Sequence, residues 1–325
     1  MEKRNIVAAL NHALFLEMTR DERVVVLGED VGRDGGVFRV TDGLQQKFGP
    51  ERVIDTPLAE SGIIGTAFGL AIAGLRPVAE IQFSGFLPPA FDGVINHVGR
   101  IRWRSRGRFT CPIVIRMPSG GGIRAPEHHS ESPEALLAHV PGIKVVMPST
   151  PYDAKGLLLS AIRDPDPVVM LEPTRCYRAI VEEVPDDDYT IPIGKARVLK
   201  EGEQVTIIGW GAMVHEALSA ADQLKIEGIS AEVIDVRSFV PLDRETILES
   251  VEKTGRVVIV HEAPRTGGFG AEISAQINEH ALTALEAPVV RVTGFDTVMP
   301  LFRSEQFYLP NANRIRHAVH KVLRD

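Results

Sequence analysis

Four stretches of this 325-residue chain combine residue types that could do chemistry. The first is Val53-Ile54-Asp55-Thr56-Pro57-Leu58-Ala59-Glu60-Ser61-Gly62, continuing to Gly74 through Ile63, Ile64, Gly65, Phe68, Gly69 and Leu70. It reads as a short strand, a Thr-Pro helix start and a helix over 57–74 that is apolar on every side. Pro57 suits the first helical position, where its missing N–H is not needed. A helix apolar all round is buried. Its glycines, each costing about 1 kcal/mol against alanine, call for compensating close packing. One carboxylate, Glu60, sits at its mouth. It is either a first-turn acid complementing the helix dipole or a desolvated group retained for a task. The residues alone do not decide.

The second stretch is the glycine-rich loop Ser119-Gly120-Gly121-Gly122-Ile123-Arg124-Ala125-Pro126-Glu127-His128-His129-Ser130-Glu131, between a strand and a helix starting at Ser132-Pro133-Glu134. No third ligand is spaced to make its histidines a zinc site. They are surface residues, or an acid/base on a loop able to close over a pocket; pattern leaves both open. The third is Ala161-Ile162-Arg163-Asp164-Pro165-Asp166-Pro167, an oxygen-rich turn that suits a hard cation and equally reads as an Asp-capped surface turn. The fourth, Gly209-Trp210-Gly211-Ala212-Met213-Val214 with Asp235 downstream, matches a dinucleotide fingerprint only with Val for the third glycine. Any tight strand-to-helix turn is glycine-rich, so this match weighs little.

The elements that must position these groups alternate. After a helix over 5–18, the apolar run Val24–Gly28 marks a strand covered on both faces. Strands are predicted at 52–55, 77–83, 112–117, 144–147 and 168–171, with helices near 40–48, 57–74, 88–104, 133–139 and 152–163. Such alternation implies an α/β fold, a doubly wound, mainly parallel sheet, with ligands at the carboxyl ends of its strands. Residues 1–185 form this unit. An acidic, proline-broken connector over 186–203 follows. A smaller α/β unit spans 204–325, with strands near 204–208, 231–236, 256–260 and 288–292 and helices near 212–227, 243–253, 268–280 and 311–323.

Composition sets further bounds. A net charge of −7 argues against nonspecific nucleic-acid binding. The basic cluster from Arg100 to Arg108 is the local exception, read as a solvated helix face, an anion contact or a partner surface. Two cysteines, Cys111 and Cys176, exclude a disulfide framework. No apolar run is long enough for a membrane span, and the N-terminus enters a helix directly. A reducing cytoplasm fits.

Gly28-Glu29-Asp30-Val31, Asp55-Thr56-Pro57-Leu58-Ala59-Glu60-Ser61-Gly62, Ala79-Glu80-Ile81-Gln82-Phe83, Ala90-Phe91-Asp92, His129-Ser130-Glu131-Ser132-Pro133-Glu134-Ala135, Pro141-Gly142-Ile143-Lys144-Val145-Val146, Ala154-Lys155-Gly156-Leu157-Leu158 and Arg291-Val292-Thr293-Gly294 occur in this order. Together they resemble one family, the beta subunit of thiamine-diphosphate-dependent 2-oxo acid dehydrogenases of the pyruvate and branched-chain complexes. Ile81-Gln82-Phe83 with Phe91-Asp92, Arg102-Trp103-Arg104-Ser105, and His261-Glu262-Ala263-Pro264 with Gly267-Gly268-Phe269 look closer to the branched-chain type. The resemblance implies a pyrimidine-binding domain and a transketolase-like C-terminal domain. Glu60 matches the glutamate that hydrogen-bonds N1′ of the cofactor's aminopyrimidine, Phe86 the aromatic that stacks on it, and Leu58 a residue packing beside it. His129 matches the loop histidine that handles the acyl intermediate and the lipoyl group. Ile113, Ala161, Asp164 and Asp166 match a structural potassium site. Glu131, where the family usually has Gln, and the second histidine, His128, are departures.

The Gly-Asp-Gly motif with a downstream Asn, which holds the metal on the diphosphate, is not found in the sequence. The resemblance therefore implies thiamine diphosphate shared with an alpha subunit that holds most of the Mg2+ site, in an α2β2 heterotetramer docking onto a lipoyl-bearing transacylase core, with no nucleic-acid or membrane partner. The alternatives are an acetoin-type dehydrogenase beta subunit, half of a split transketolase, and a non-catalytic assembly subunit.

Overall fold

The computed structural model describes residues 1–324. A seven-stranded sheet runs in the order Ser238–Val240, Lys144–Val146, Val168–Pro173, Val114–Ser119, Arg76–Glu80, Val24–Gly28, Val53–Asp55. All its pairings are parallel except the first, where Ser238–Val240 joins antiparallel. Alternate residues along each strand face opposite layers: Val114, Val168 and Met170 join one apolar cluster, and Ile115, Val169 and Leu171 the other. This period of two explains why the central strands are apolar throughout. Ile6–Arg20, capped by the Asn5 side chain, and Pro151–Arg163, capped by Thr150, pack together on one face. Glu60–Ile72 and Pro88–Gly93 cover the other.

The second sheet runs Val290–Val292, Val257–Val260, Val205–Gly209, Ala231–Asp235, Arg197–Lys200, with only the last strand antiparallel. Its helices are Ala212–Ile226, Arg244–Thr254, Gly270–Ala281 and Ala312–Val322. The two units share structure across their boundary. Ser238–Val240 leaves the second to edge the first sheet, Arg237 pairs with Asp153 at 3.0 Å, and Ser149 donates a hydrogen bond to Asp235. The would-be ribose acid of the degenerate fingerprint is thus a buried tie between units.

Several expectations need correction. Arg197–Lys200 is a sheet strand inside the predicted connector, and Glu2–Arg4 pairs antiparallel with Glu182–Val184. Strands of three or four residues are too short to carry a readable period. The predicted 88–104 helix divides into Pro88–Gly93, a π-helical turn over Val94–Val98 and a short turn at Ile101–Arg104. The helix predicted over 57–74 begins at Glu60, leaving Pro57 outside it. Nor is that helix enclosed: Ile63, Ile64, Ala67 and Ala71 face the core, while Ser61, Gly62, Gly65, Thr66 and Gly69 are exposed. A Cβ added at Gly65 or Gly69 would meet nothing within 4 Å. The close packing its glycines called for is absent within this chain.

A buried charge cluster holds the middle of the first sheet. Arg116, fully buried, donates to both carboxylate oxygens of Glu172 at 2.7 and 2.9 Å and to Glu80 at 2.8 Å. The Tyr177 hydroxyl donates to Glu172 at 2.6 Å. Burial, opposed by Arg116, raises the Glu80 carboxyl above its ordinary value. Removing one partner from such a cluster leaves the others charged and unpaired. Arg116→Met should therefore lower unfolding stability by about 3–5 kcal/mol in chemical denaturation, whereas Arg23→Met, at an exposed pair with Asp21, should cost less than about 1 kcal/mol.

Candidate active site

Three parallel strands, Val24–Gly28, Val53–Asp55 and Arg76–Glu80, end on the same edge of the sheet. Just beyond them lie Glu29 and Asp30, Thr56 to Glu60, and Gln82 to Phe86. Thr56 N–H donates to the Gly28 carbonyl at 2.9 Å, and Gln82 donates to Asp30 at 3.3 Å. Asp55 accepts from the Gly32 and Arg33 amides at 2.6 and 3.1 Å, so it orders the first loop. Glu60, the first residue of its helix, is buried at 8% exposure. Beside it, Glu29 Oε1 and Thr56 Oγ1 are buried without a hydrogen-bond partner. Burial, then the charge of Glu60, pushes the Glu29 carboxyl up. Orphaned buried polar atoms around a carboxylate fit a cleft that receives a polar ring.

The glycine-rich loop reaches this edge from the next strand, Val114–Ser119. The Glu131 carbonyl closes its base, accepting from Gly120 N–H at 2.9 Å, Ser84 Oγ at 2.8 Å and Ser119 Oγ at 3.1 Å. A Cβ at Gly85 would overlap the His128 carbonyl, so only glycine lets the two segments meet. The His129 ring lies 4.4 Å from Phe83 and 5.0 Å from Phe86, centroid to centroid, with its Nδ1 2.7 Å from the Glu127 carbonyl. Of the two histidines, His129 is seated on the aromatics. His128 projects outward with positive φ, and its backbone is what packs on Gly85.

The structure thus brings His129 onto Phe86, and places Glu60 after the edge strand Val53–Asp55, one strand removed from the strand leading to Phe86, with Val24–Gly28 between them. Leu58 stands apart, its side chain 78% exposed. The predicted cation turn is built differently from a carboxylate cage. Asp164 holds Lys144 at 2.6 Å and Asp166 holds Arg102 at 2.5 Å. The Ile113 and Ala161 carbonyls each accept one backbone hydrogen bond, from Val168 and Asp164, leaving a second lone pair on each. Among the described residues, no group of three or more His, Cys, Asp or Glu side chains is arranged to hold a metal ion.

Other residues join the site that the sequence did not single out as site residues. Phe83 and Gly85 lay inside a stretch already placed at a strand end, and Glu29 ended a strand with an acid; those positions could have flagged them. Glu262 and Glu305 could not be flagged, because they reach the loop from the other domain. Gly121 N–H donates to Glu262 at 2.8 Å; Gly122 and Arg124 N–H donate to Glu305 at 2.6 and 3.1 Å. Where the loop ends, Glu134 accepts from Trp210 Nε1 at 3.3 Å, and its other oxygen has no partner. Trp210 stacks on the buried His261, whose ring burial lowers to about 4. Burial pushes Glu134 up to about 8 and Glu262 up to about 7. A cavity of 20 Å³ bordered by Ser119, Ser132, Glu134, Trp210 and Glu262 separates the domains here, room for about one water.

A two-domain frame with Glu60, Phe86 and His129 gathered at the carboxyl ends of its first sheet fits a transketolase-type enzyme unit, and comparison with known proteins agrees. Residues 2–179 match the transketolase pyrimidine binding domain, and residues 194–315 the transketolase C-terminal domain. A split-gene transketolase solved as an inactive beta4 tetramer superposes with TM-score 0.80 at 29% identity, over 98% of both chains. The pyruvate dehydrogenase E1 component subunit beta of Acholeplasma laidlawii is 54% identical over 98% of this chain and 97% of its own. That of Bacillus subtilis (strain 168) is 54% identical over 99% of each. The chain belongs to the beta-subunit family of thiamine-diphosphate-dependent 2-oxo acid dehydrogenases. Among the described residues, no helix is long and apolar enough to cross a membrane.

The raised carboxyl at Glu134 makes folding stability depend on pH. Its folded value near 8 lies above the ordinary 4.5, so its stabilising contribution is complete below about 4.5 and is lost as pH rises through about 8. Glu134→Gln removes that dependence. Between pH 5 and 9 the melting temperature of the variant should fall less than that of the parent; parallel curves would show that Glu134 ionises normally.

Proposed function

We propose that this chain supplies the pyrimidine side of a thiamine diphosphate site in an α2β2 2-oxo acid dehydrogenase, which decarboxylates the oxo acid and passes the acyl group to lipoamide. The observation that carries this reading is the convergence of a buried Glu60, a half-buried Phe86 and the seated His129 at one sheet edge. The unpartnered oxygens of Glu29 and Thr56 support the fit of a polar ring there. When bound, the cofactor supplies the carbon nucleophile and the electron sink for loss of CO2. Glu60 holds the proton at the aminopyrimidine nitrogen, as a carboxyl within hydrogen-bond reach can. Phe86 offers its face to the ring, and Leu58 packs beside it once covered by a partner. His129 moves protons at the acyl group and admits the lipoyl arm.

Pyruvate stands first among substrates, because the relatives that span the whole chain carry pyruvate in their names; the oxo acids of valine, leucine and isoleucine follow. The Mg2+ and diphosphate ligands are assigned to the alpha subunit, since the metal-binding motif is not found in this sequence. Potassium, at Ile113, Ala161, Asp164 and Asp166, would rest on the two carbonyls, whose free lone pairs suit a weakly hydrated ion better than carboxylates already paired with Lys144 and Arg102. The lipoyl-bearing transacylase core and a cytoplasmic location complete the reading.

The test is reconstitution with the alpha subunit and assay on pyruvate and the three branched oxo acids. Glu60→Ala should lower the decarboxylation rate about 100-fold or more. Undiminished turnover would overturn the role of Glu60, and turnover of sugar phosphates in place of oxo acids would favour a split transketolase.

The open glycine face of the Glu60–Ile72 helix is assigned to the subunit interface. Because a Cβ at Gly65 meets nothing within the chain, Gly65→Leu should leave the fold intact and still shift sedimentation toward smaller species. An unchanged tetramer would refute the assignment.

A further inference from the structure

The loop that carries His129 has no regular structure between the Val114–Ser119 strand and the Glu134–Ala138 helix. Its backbone is unfavourable at two points, Arg124 and His128, which have positive φ, a region that non-glycine residues occupy only when their surroundings hold them there. The Glu131 carbonyl fixes the base of the loop. Its rising half, Gly121 to Arg124, relies on the second domain.

There two carboxylates receive it. Glu262, just past the Val257–Val260 strand, takes the Gly121 amide. Glu305, opening the Glu305–Tyr308 helix, takes the Gly122 amide on one oxygen and the Arg124 amide on the other. Both are buried, at 8% and 5% exposure. Among the described residues neither forms a salt bridge. The loop amides are therefore their hydrogen-bond partners in place of a cation. A buried carboxylate is costly unless strongly hydrogen-bonded, and bonds from backbone N–H to a charged oxygen are the strong kind. Ordinary packing would have been served by apolar residues at less cost. Met299 and Leu309, flanking Glu305, also close on Gly121, so a side chain there would have to displace the Met299 methyl.

We propose that Glu305, assisted by Glu262, is a positioning residue of the reaction: from the second domain it sets the height of the loop and so seats His129 on Phe83 and Phe86. The inference rests on the reading of His129 given above. It makes the C-terminal domain part of the acyl-transfer apparatus, although Glu60, Phe86 and His129 all belong to the first domain.

The experiment uses the assembled enzyme with its alpha subunit. Hydrogen exchange of the 121–124 amides and the lipoamide-dependent rate per assembled tetramer are measured for Glu305→Ala, Glu305→Gln and His129→Ala. Glu305→Ala loses both acceptor oxygens and should speed exchange and slow acyl transfer, each about tenfold or more, as displacement of a reacting group by an ångström does. Glu305→Gln keeps one acceptor oxygen and should recover part of both losses. If the alanine variant fails to assemble, the glutamine variant decides, because it should still release one of the two amides and lower the rate severalfold. Faster exchange at an unchanged rate per tetramer, or unchanged exchange, would overturn the proposal, and a purely structural role would lower assembly and melting temperature alone. A His129→Ala variant with full activity would instead overturn the reading of His129 itself.

Discussion

Arg116 occupies the centre of the first sheet, where the strand carrying it lies between the strands carrying Glu80 and Glu172. With two acids on one base, none of them in reach of water, the three strands are tied in register by groups that cannot be released singly. What depends on this is the site. Two residues past Glu80 begins Gln82 to Phe86; three past Arg116 begins the glycine-rich loop. Two past Glu172 is Thr174, whose hydroxyl donates to the Gly120 carbonyl at 3.0 Å. A slip of one residue between these strands would carry Phe86 and His129 away from each other, because side chains alternate faces.

The second dependence crosses between domains. Asp235, Arg237, Glu262 and Glu305 all reach from the C-terminal unit toward the first. Of these, Glu262 and Asp235 are buried carboxyls raised to about 7. A fold that keeps such groups at a domain boundary accepts a stability cost at higher pH. In exchange it obtains hydrogen bonds to backbone groups that no apolar residue could satisfy. The glycine-rich loop, the part of the site with least structure of its own, is where most of those bonds fall.

Two surfaces near the proposed cofactor site stand open. Leu58, two residues before the buried Glu60, is exposed, and the Glu60–Ile72 helix turns a glycine face outward. Both lie on the flanks of the proposed cofactor cleft. They fit the same account as the missing diphosphate-binding motif: the cleft has one wall here, and a partner is proposed to bring the other.

Much of this was legible in the sequence. Apolar runs of period two and helices of period 3.6 placed nearly every long element within a few residues, because burial on both faces of a parallel sheet leaves little choice of residue type. Motif order along the chain placed Glu60, Phe86 and His129 in one family and at strand ends. Short edge strands such as Arg197–Lys200 and Ser238–Val240 escaped, since three or four residues carry no period. What only the tertiary structure decided was which distant groups answer local needs. Arg116 satisfies acids 36 and 56 residues away, and Glu305 receives amides about 180 residues before it. A lone Glu in a sequence looks the same whether it is solvated or buried on a loop amide. Its partner is set by how the layers pack, and packing is not written at any one position.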